Sequence, residues 1–317
     1  MMEKKNNFCG EDITLDELLD LFLTYKYLRQ KTKDTYRRMV SIFTKAHPDI
    51  LVSQITKEVL LTWRTHKLQT VNEVTWNNCM RHCKAVFNFG LKNKIIPQID
   101  NPFVGTFLRE PKKKRKTIKD QDLNVLINLL EKQNDKKALS QLCGDYCPVF
   151  YAQALIFTLL YTGIRRNQLL QLQIKHINLN ERTIFIPHNI NKTHDDHTIP
   201  IASKLYPYLS TLVDELHKRG ILDNEKLFNI NHVSKTTKHM GDMTEDQLSY
   251  FFRKLSKITN IRLSSHRFRH TLATNLMKKP EQNLYGTQKL LGHKDIKTTL
   301  SYIEYDVDML RQLVNSI

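Results

Sequence analysis

The sequence predicts a mainly α-helical protein with one small antiparallel β-sheet, built as two domains. Three observations lead there. The chain has 317 residues, more than a single hydrophobic core usually organises. Apolar residues recur at helical spacing over most of it, while strand-like alternation is confined to the stretch from about 174 to 201. Between the two helical regions, Pro102, Gly105 and Pro111 flank five consecutive cations, Lys112, Lys113, Lys114, Arg115 and Lys116. Like charges in a row repel one another and do not pack, so this run reads as a linker. The expected division is a helical domain over 12–98, a basic linker over 99–116 and an α+β domain over 117–317.

The elements follow in order. Apolar residues at helical spacing from Ile13 to Leu23, with Thr14 and Glu17 placed as a capping box, predict the first helix. Helices are expected over 32–47, 56–68 and 72–92, the last closed by Gly90 and the run Ile95-Ile96-Pro97. In the second domain, helices are expected over 120–132 and 147–161. Gly163 ends the latter, and Arg165 opens a short helix to Leu172. Segments 174–179, 183–187 and 197–201 alternate like strands, with a polar tip over 188–196 between the last two. Further helices are expected over 203–219, 244–258, 266–278, 285–291 and 296–302, with a C-terminal segment from 307 to 314.

Composition narrows the partners. The net charge is +17, from 49 Lys and Arg against 32 Asp and Glu. A polyphosphate backbone suits such a surface, because binding it releases condensed counterions. Residues 1–10 lack the apolar run of a secretory signal, and the longest apolar stretch, near 148–164, is too short and polar to span a bilayer. A cytoplasmic location without membrane association is expected. Five cysteines, an odd number, argue against a disulfide framework. The pairs Cys79/Cys83 and Cys143/Cys147 are spaced i,i+4 in helical patterns and read as buried apolar residues rather than a zinc site. Trp63 and Trp76 read as core.

The chemistry sits in the second half. Thr162-Gly163-Ile164-Arg165 is followed about a hundred residues later by Ser265-His266-Arg267-Phe268-Arg269-His270, then by Leu291-Gly292-His293 and by Tyr302. Two guanidiniums are permanent, bidentate cations suited to the extra negative charge of a phosphoryl-transfer transition state. A phenol holds its proton at neutral pH, so Tyr302 needs a partner to take it; His266 and the surrounding cations are that partner on this reading. His270 reads as structural, facing away from His266. His188, His194 and His197 read as a solvated or DNA-facing loop.

In this order and spacing the residues resemble the tyrosine recombinase (phage integrase) family over about 117–317. The resemblance implies an α+β catalytic domain of that type, preceded by a helical core-binding domain that grips DNA. It implies that Arg165 and Arg269 bind the scissile phosphate, His266 assists proton transfer, His293 hydrogen-bonds the phosphate and Tyr302 is the nucleophile. The family's lysine, general acid on the departing 5′-oxygen, lies in a β-hairpin, and Lys192 in Asn191-Lys192-Thr193 is its counterpart. Tyr305 is a rival nucleophile at a less fitting spacing. The implied activity is site-specific recombination of double-stranded DNA through a 3′-phosphotyrosyl link, with no metal or cofactor. The implied assembly is a homotetramer on two DNA sites, with accessory bending or directionality proteins as further partners. A type IB-like topoisomerase, or a non-catalytic DNA-binding descendant of a recombinase, is the alternative. The chain departs from the family at Gln168, where an acidic residue is usual, and at His176, where aspartate is common.

Overall fold

The computed structural model describes residues 12–111, 116–131, 146–191, 194–236, 241–278 and 280–303, with positions 311, 314 and 315. The chain is mainly helical with one three-stranded antiparallel sheet. It falls into two compact units, 1–113 and 114–317.

The N-terminal unit consists of α1 (Leu15–Tyr25), α2 (Gln30–Thr44), α3 (Lys57–Lys67) and α4 (Glu73–Lys92). The expected capping box forms: Thr14 accepts from the Glu17 amide, and the Glu17 carboxylate accepts from the Thr14 amide. Helices α1, α2 and α4 pack on one another around Leu15, Leu18, Phe22, Val40, Phe43, Phe87 and both tryptophans. Gly90 does not end α4, which runs on to Lys92. A Cβ there would lie 3.0 Å from Leu18 and Ile96 side-chain carbons, so the glycine serves close packing. The segment after α4, read from its Pro and Gly as the start of the linker, is partly core. Phe103 is fully buried, the Trp76 indole donates to the Thr106 carbonyl at 2.9 Å, and Asn77 exchanges hydrogen bonds with the backbone of Leu108. The cations at 112–115 lie outside the described residues.

The C-terminal unit is organised by α6 (Val149–Thr162), which is apolar nearly all round and correspondingly buried. It packs against α8 (Tyr206–Lys218) and α10 (Ser265–Leu276). The other helices are α5 (Asp120–Glu131), α7 (Arg166–Gln171), α9 (Glu245–Thr259), α11 (Pro280–Leu291) and α12 (Ile296–Leu300). The sheet has the order β1 (Ile177–Asn178), β2 (Thr183–Ile186), β3 (His197–Pro200), with Ile184 opposite both Ile177 and Ile199. Ile184, Ile186 and Ile199 face the core while Phe185 stays exposed, the alternation of a half-buried sheet. The first strand is shorter than the pattern predicted. Residues Ile174–His176 form a 3₁₀ turn instead, closed by a hydrogen bond from the Gln173 amide to His176 Nδ1 at 3.1 Å. That contact gives the histidine standing where the family has aspartate a local acceptor role.

Cys79, Cys83 and Cys147 are buried free thiols. Burial, then the Cys79 thiol beside it, holds the Cys83 thiol well above its ordinary value, so it behaves as a small apolar side chain. Cys143 lies outside the described residues, as does most of the C-terminal segment 307–314. No described helix is long and apolar enough to cross a membrane, and no group of His, Cys, Asp or Glu among the described residues is placed to hold a metal ion.

Candidate active site

The end of α6 begins the site. Gly163 adopts a left-handed conformation (φ +58°) and its amide closes the helix on Leu159, the usual geometry of a glycine C-cap. The chain then turns into α7 with Arg165 at the N-cap. A Cβ on Gly163 would lie 2.8 Å from Leu291 Cδ2 and 3.1 Å from Leu272 Cδ2. Both a backbone angle and a close approach therefore demand glycine here. Gly163→Ala is expected to lose about 1 kcal/mol for the left-handed backbone and a further ~1–3 kcal/mol for overpacking. Gly220 is a control, with φ +75° and nothing within 4 Å of an added Cβ. Equal losses in the two alanine variants, read by thermal or denaturant unfolding, would remove the packing argument.

Three consecutive carbonyls, Leu290 to Gly292 at and just past the end of α11, hold a histidine and both arginines. Leu290 O accepts from His197 Nε2 at 3.1 Å, Leu291 O from Arg269 Nη2 at 2.8 Å, and Gly292 O from Arg165 Nη2 at 2.9 Å. Arg269 also donates through Nη1 to Gly163 O at 2.7 Å and through Nη2 to His293 Nε2 at 2.9 Å. Because a guanidinium only donates, His293 Nε2 carries the lone pair. The imidazole proton is then on Nδ1, which donates to Thr299 Oγ1 at 2.9 Å. The same reasoning puts the His197 proton on Nε2.

Tyr302, two residues past the end of α12, is 4% exposed and packs with Ala273, Met277 and Leu291. Its ring stacks on His293 with an interplanar angle of 5°. Its hydroxyl lies 3.0 Å from His270 Nδ1 and close enough to Arg165 and Arg269 to act on both guanidiniums. The reading of His270 as turned away is therefore corrected. Residues four apart on a helix share a face, so His266 and His270 both belong to the site side of α10. His197 is likewise no free loop residue, being bonded through Leu290 to the arginine-holding segment.

The electrostatics follow from burial. Arg269 is 7% exposed; burial first, and then the neighbouring Arg165 cation, hold its guanidinium down to about 10. Burial lowers Arg165 as well, with Tyr302 opposing. Their described partners are backbone carbonyls, His293 and Tyr302, not carboxylates. Two desolvated cations whose described partners are dipoles form a site that an anion completes.

His266 is open to solvent and borders a recess lined also by Lys116, Arg166, Arg253, Arg262 and Arg267. Partial desolvation, then Arg166 and Arg269, hold its imidazole below the ordinary value. Gln168, in place of the family's acid, is 3% exposed and uses both ends of its amide. Its oxygen accepts from the Arg165 amide at 3.0 Å, and its nitrogen donates to Asn191 Oδ1 at 3.0 Å; Asn191 in turn donates to Asp195 O at 2.7 Å. A carboxylate could not donate to Asn191 in this orientation. This relay fixes the residue preceding Lys192. Lys192 itself, and Tyr305, lie outside the described residues.

Desolvation is also the leading cause that holds His176, His197 and His232 below the ordinary imidazole value of 6.5. The unfolded chain takes up protons at that ordinary value, before the folded chain does. Their contribution to stability is therefore complete above about pH 6.5 and is lost as pH falls through the folded values. Melting temperature is expected to drop between about pH 7 and pH 5; a rise over that window would contradict the sign.

Comparison with known proteins gives the family of the chain. The Phage integrase family model matches residues 118–308. Two proteins provisionally named tyrosine recombinase XerC are 31% identical to this chain. That of Pseudomonas syringae aligns over 96% of this chain and 64% of its own length, so the chain spans under two thirds of that relative. That of Pseudomonas aeruginosa aligns over 96% and 72%. A tyrosine recombinase XerD of Staphylococcus haemolyticus is 24% identical over 95% of this chain and 97% of its own. Among solved structures, Tn1549 transposon integrase in complex with transposon right end DNA shares the fold at TM-score 0.73 and 18% identity, covering 96% of this chain and 99% of that one. A lambda integrase tetramer bound to a Holliday junction gives 0.67 at 15% identity, covering 93% and 78%. With the ordered motifs, the two-guanidinium site and the matched span together, this chain belongs to the phage integrase family.

Proposed function

We propose that the protein is a site-specific DNA recombinase that cuts and rejoins strands through a 3′-phosphotyrosyl link. The observation that carries the reading is the Tyr302 hydroxyl set beside the buried Arg269 guanidinium and the half-buried Arg165, neither with a carboxylate partner among the described residues. In this reading Arg165 and Arg269 hold the scissile phosphate, His293 takes its family role on the phosphate, and His266, the family's proton-transfer histidine, stands on the same helix face as His270. Lys192 is the acid for the departing 5′-oxygen. Attack by Tyr302 conserves the phosphodiester's energy in the protein–DNA bond, so a second 5′-hydroxyl reverses the step without a nucleotide cofactor. The N-terminal helical unit is the core-binding domain, and the basic run between the units follows the DNA backbone.

Double-stranded recombination sites are the substrate, and the working assembly is a homotetramer on two of them in the cytoplasm, with accessory DNA-bending or directionality proteins as further partners. The lambda integrase tetramer on a Holliday junction supports that assembly by likeness of fold. The relatives named as recombinases favour this reading over a topoisomerase or a binding-only protein.

The test uses a duplex carrying the repeats that flank the gene, nicked just beyond the expected cleavage point so that the released fragment diffuses away. A covalent adduct stable to denaturant is expected, with the phosphate joined to tyrosine. Binding without any adduct, across all flanking repeats, would turn the reading to the non-catalytic alternative.

A further inference from the structure

We propose that His270, rather than His266, accepts the Tyr302 proton during strand cleavage; the inference rests on the recombinase reading above and assigns its nucleophile a base. His270 Nδ1 lies 3.0 Å from the phenolic oxygen, with the two rings' centroids 5.6 Å apart and tilted by 41°. With its own proton on Nε2, the His270 imidazole presents the Nδ1 lone pair to the Tyr302 hydroxyl, and in that tautomer the phenol donates to it. The arrangement is a nucleophile within reach of a base, its oxygen already facing a cation that stabilises the phenolate.

The other imidazoles are spoken for or elsewhere. His293 stacks on Tyr302, but its Nε2 accepts from Arg269 and its Nδ1 donates to Thr299. Neither nitrogen is open to a phenolic proton. His197 spends Nε2 on Leu290 O. His266 sits one helical turn before His270 and is exposed beside the basic recess. It has no hydrogen bond to Tyr302 among the described residues. Its place suits contact with the phosphate.

The step balances. The Tyr302 oxygen forms a bond to phosphorus as the bond from phosphorus to the 5′-oxygen breaks. The phenolic proton passes to His270 Nδ1, and the 5′-oxygen takes a proton from a separate acid, Lys192 in the reading above. On rejoining, the incoming 5′-hydroxyl gives its proton back to Lys192 as its oxygen bonds to phosphorus, and the displaced phenol oxygen recovers its proton from His270.

The experiment compares His270→Ala, His270→Asn and the parent chain on the nicked duplex and on the same duplex with sulfur in place of the scissile 5′-oxygen. A thiolate leaves without an acid, so the second substrate isolates the nucleophile's side of the reaction. Asparagine places an acceptor oxygen near the position of Nδ1 but has no basicity. Both variants are expected to bind DNA normally and to cleave either substrate about 10²–10⁴-fold more slowly than the parent. Added imidazole is expected to speed His270→Ala. Parent-like cleavage by His270→Asn would reduce His270 to a positioning residue and overturn the proposal. Recovery of His270→Ala on the sulfur substrate would also overturn it, by placing the histidine on the leaving group. Failure of the parent chain to form an adduct on either substrate would strike the recombinase reading itself, an outcome separate from both.

Discussion

Tyr302→Phe is expected to abolish the covalent protein–DNA adduct, a loss of about 10⁴-fold or more of the kind that follows removal of a covalent nucleophile, while DNA affinity stays close to that of the parent chain. The substitution deletes one oxygen. The ring keeps its stack on His293 and its packing against Ala273, Met277 and Leu291. The fold loses the hydrogen bond to His270 Nδ1, worth about 1 kcal/mol, and an interaction with the Arg269 cation. Neither loss reaches the remaining cations that would hold DNA, in a chain of net charge +17. Adduct formation on the nicked duplex and a gel-shift titration on the intact one separate the two effects. An adduct that survives the substitution would move the nucleophile, with Tyr305 the first residue to examine.

Much of this site is written in the chain as spacing between side chains with distinctive chemistry. Arg165, Arg269, His293 and Tyr302 are brought together from a helix cap, a helix interior, a turn and a post-helical turn. The order of the motifs anticipates that gathering because each motif is a local structure: a glycine stop before Arg165, and a left-handed Gly292 before His293. What spacing does not carry is the backbone. The carbonyls of Leu290, Leu291 and Gly292 orient His197 and both arginines, yet a carbonyl belongs to every residue and leaves no mark in a sequence.

His270 differs, since its signal was present. Its i,i+4 relation to His266 places it on the site face of α10, and helical geometry alone argues against a role away from the site. The strand expected over 174–179 is cut to Ile177–Asn178 for another reason. Alternation of Ile174, His176 and Asn178 with their neighbours fits a strand, but the contact between His176 and the Gln173 amide closes a 3₁₀ turn first. Local side-chain-to-backbone bonds of this kind compete with a sheet ladder.

Arg269→Lys is expected to slow single-turnover cleavage by about 10²–10³-fold with little change in DNA affinity, although formal charge is conserved. Affinity is spread over many cations, and one contact among them contributes one increment to the salt dependence. Cleavage rests on geometry that an ammonium cannot reproduce. Arg269 spans Gly163 O, Leu291 O and His293 Nε2 with two nitrogens held in one plane. A lysine presents a single nitrogen at the end of a flexible stem. Reaching either carbonyl leaves the other unpaired in a buried site, at about 1–3 kcal/mol. It also withdraws the donor that fixes the His293 proton on Nδ1, so the imidazole bonded to Thr299 can change tautomer. The shape of the loss is therefore specific: stability and rate fall together while binding holds. If instead binding and cleavage weaken by the same factor, the guanidinium acts as a mere point charge toward DNA, and the arrangement of carbonyls around it has no part in the chemistry.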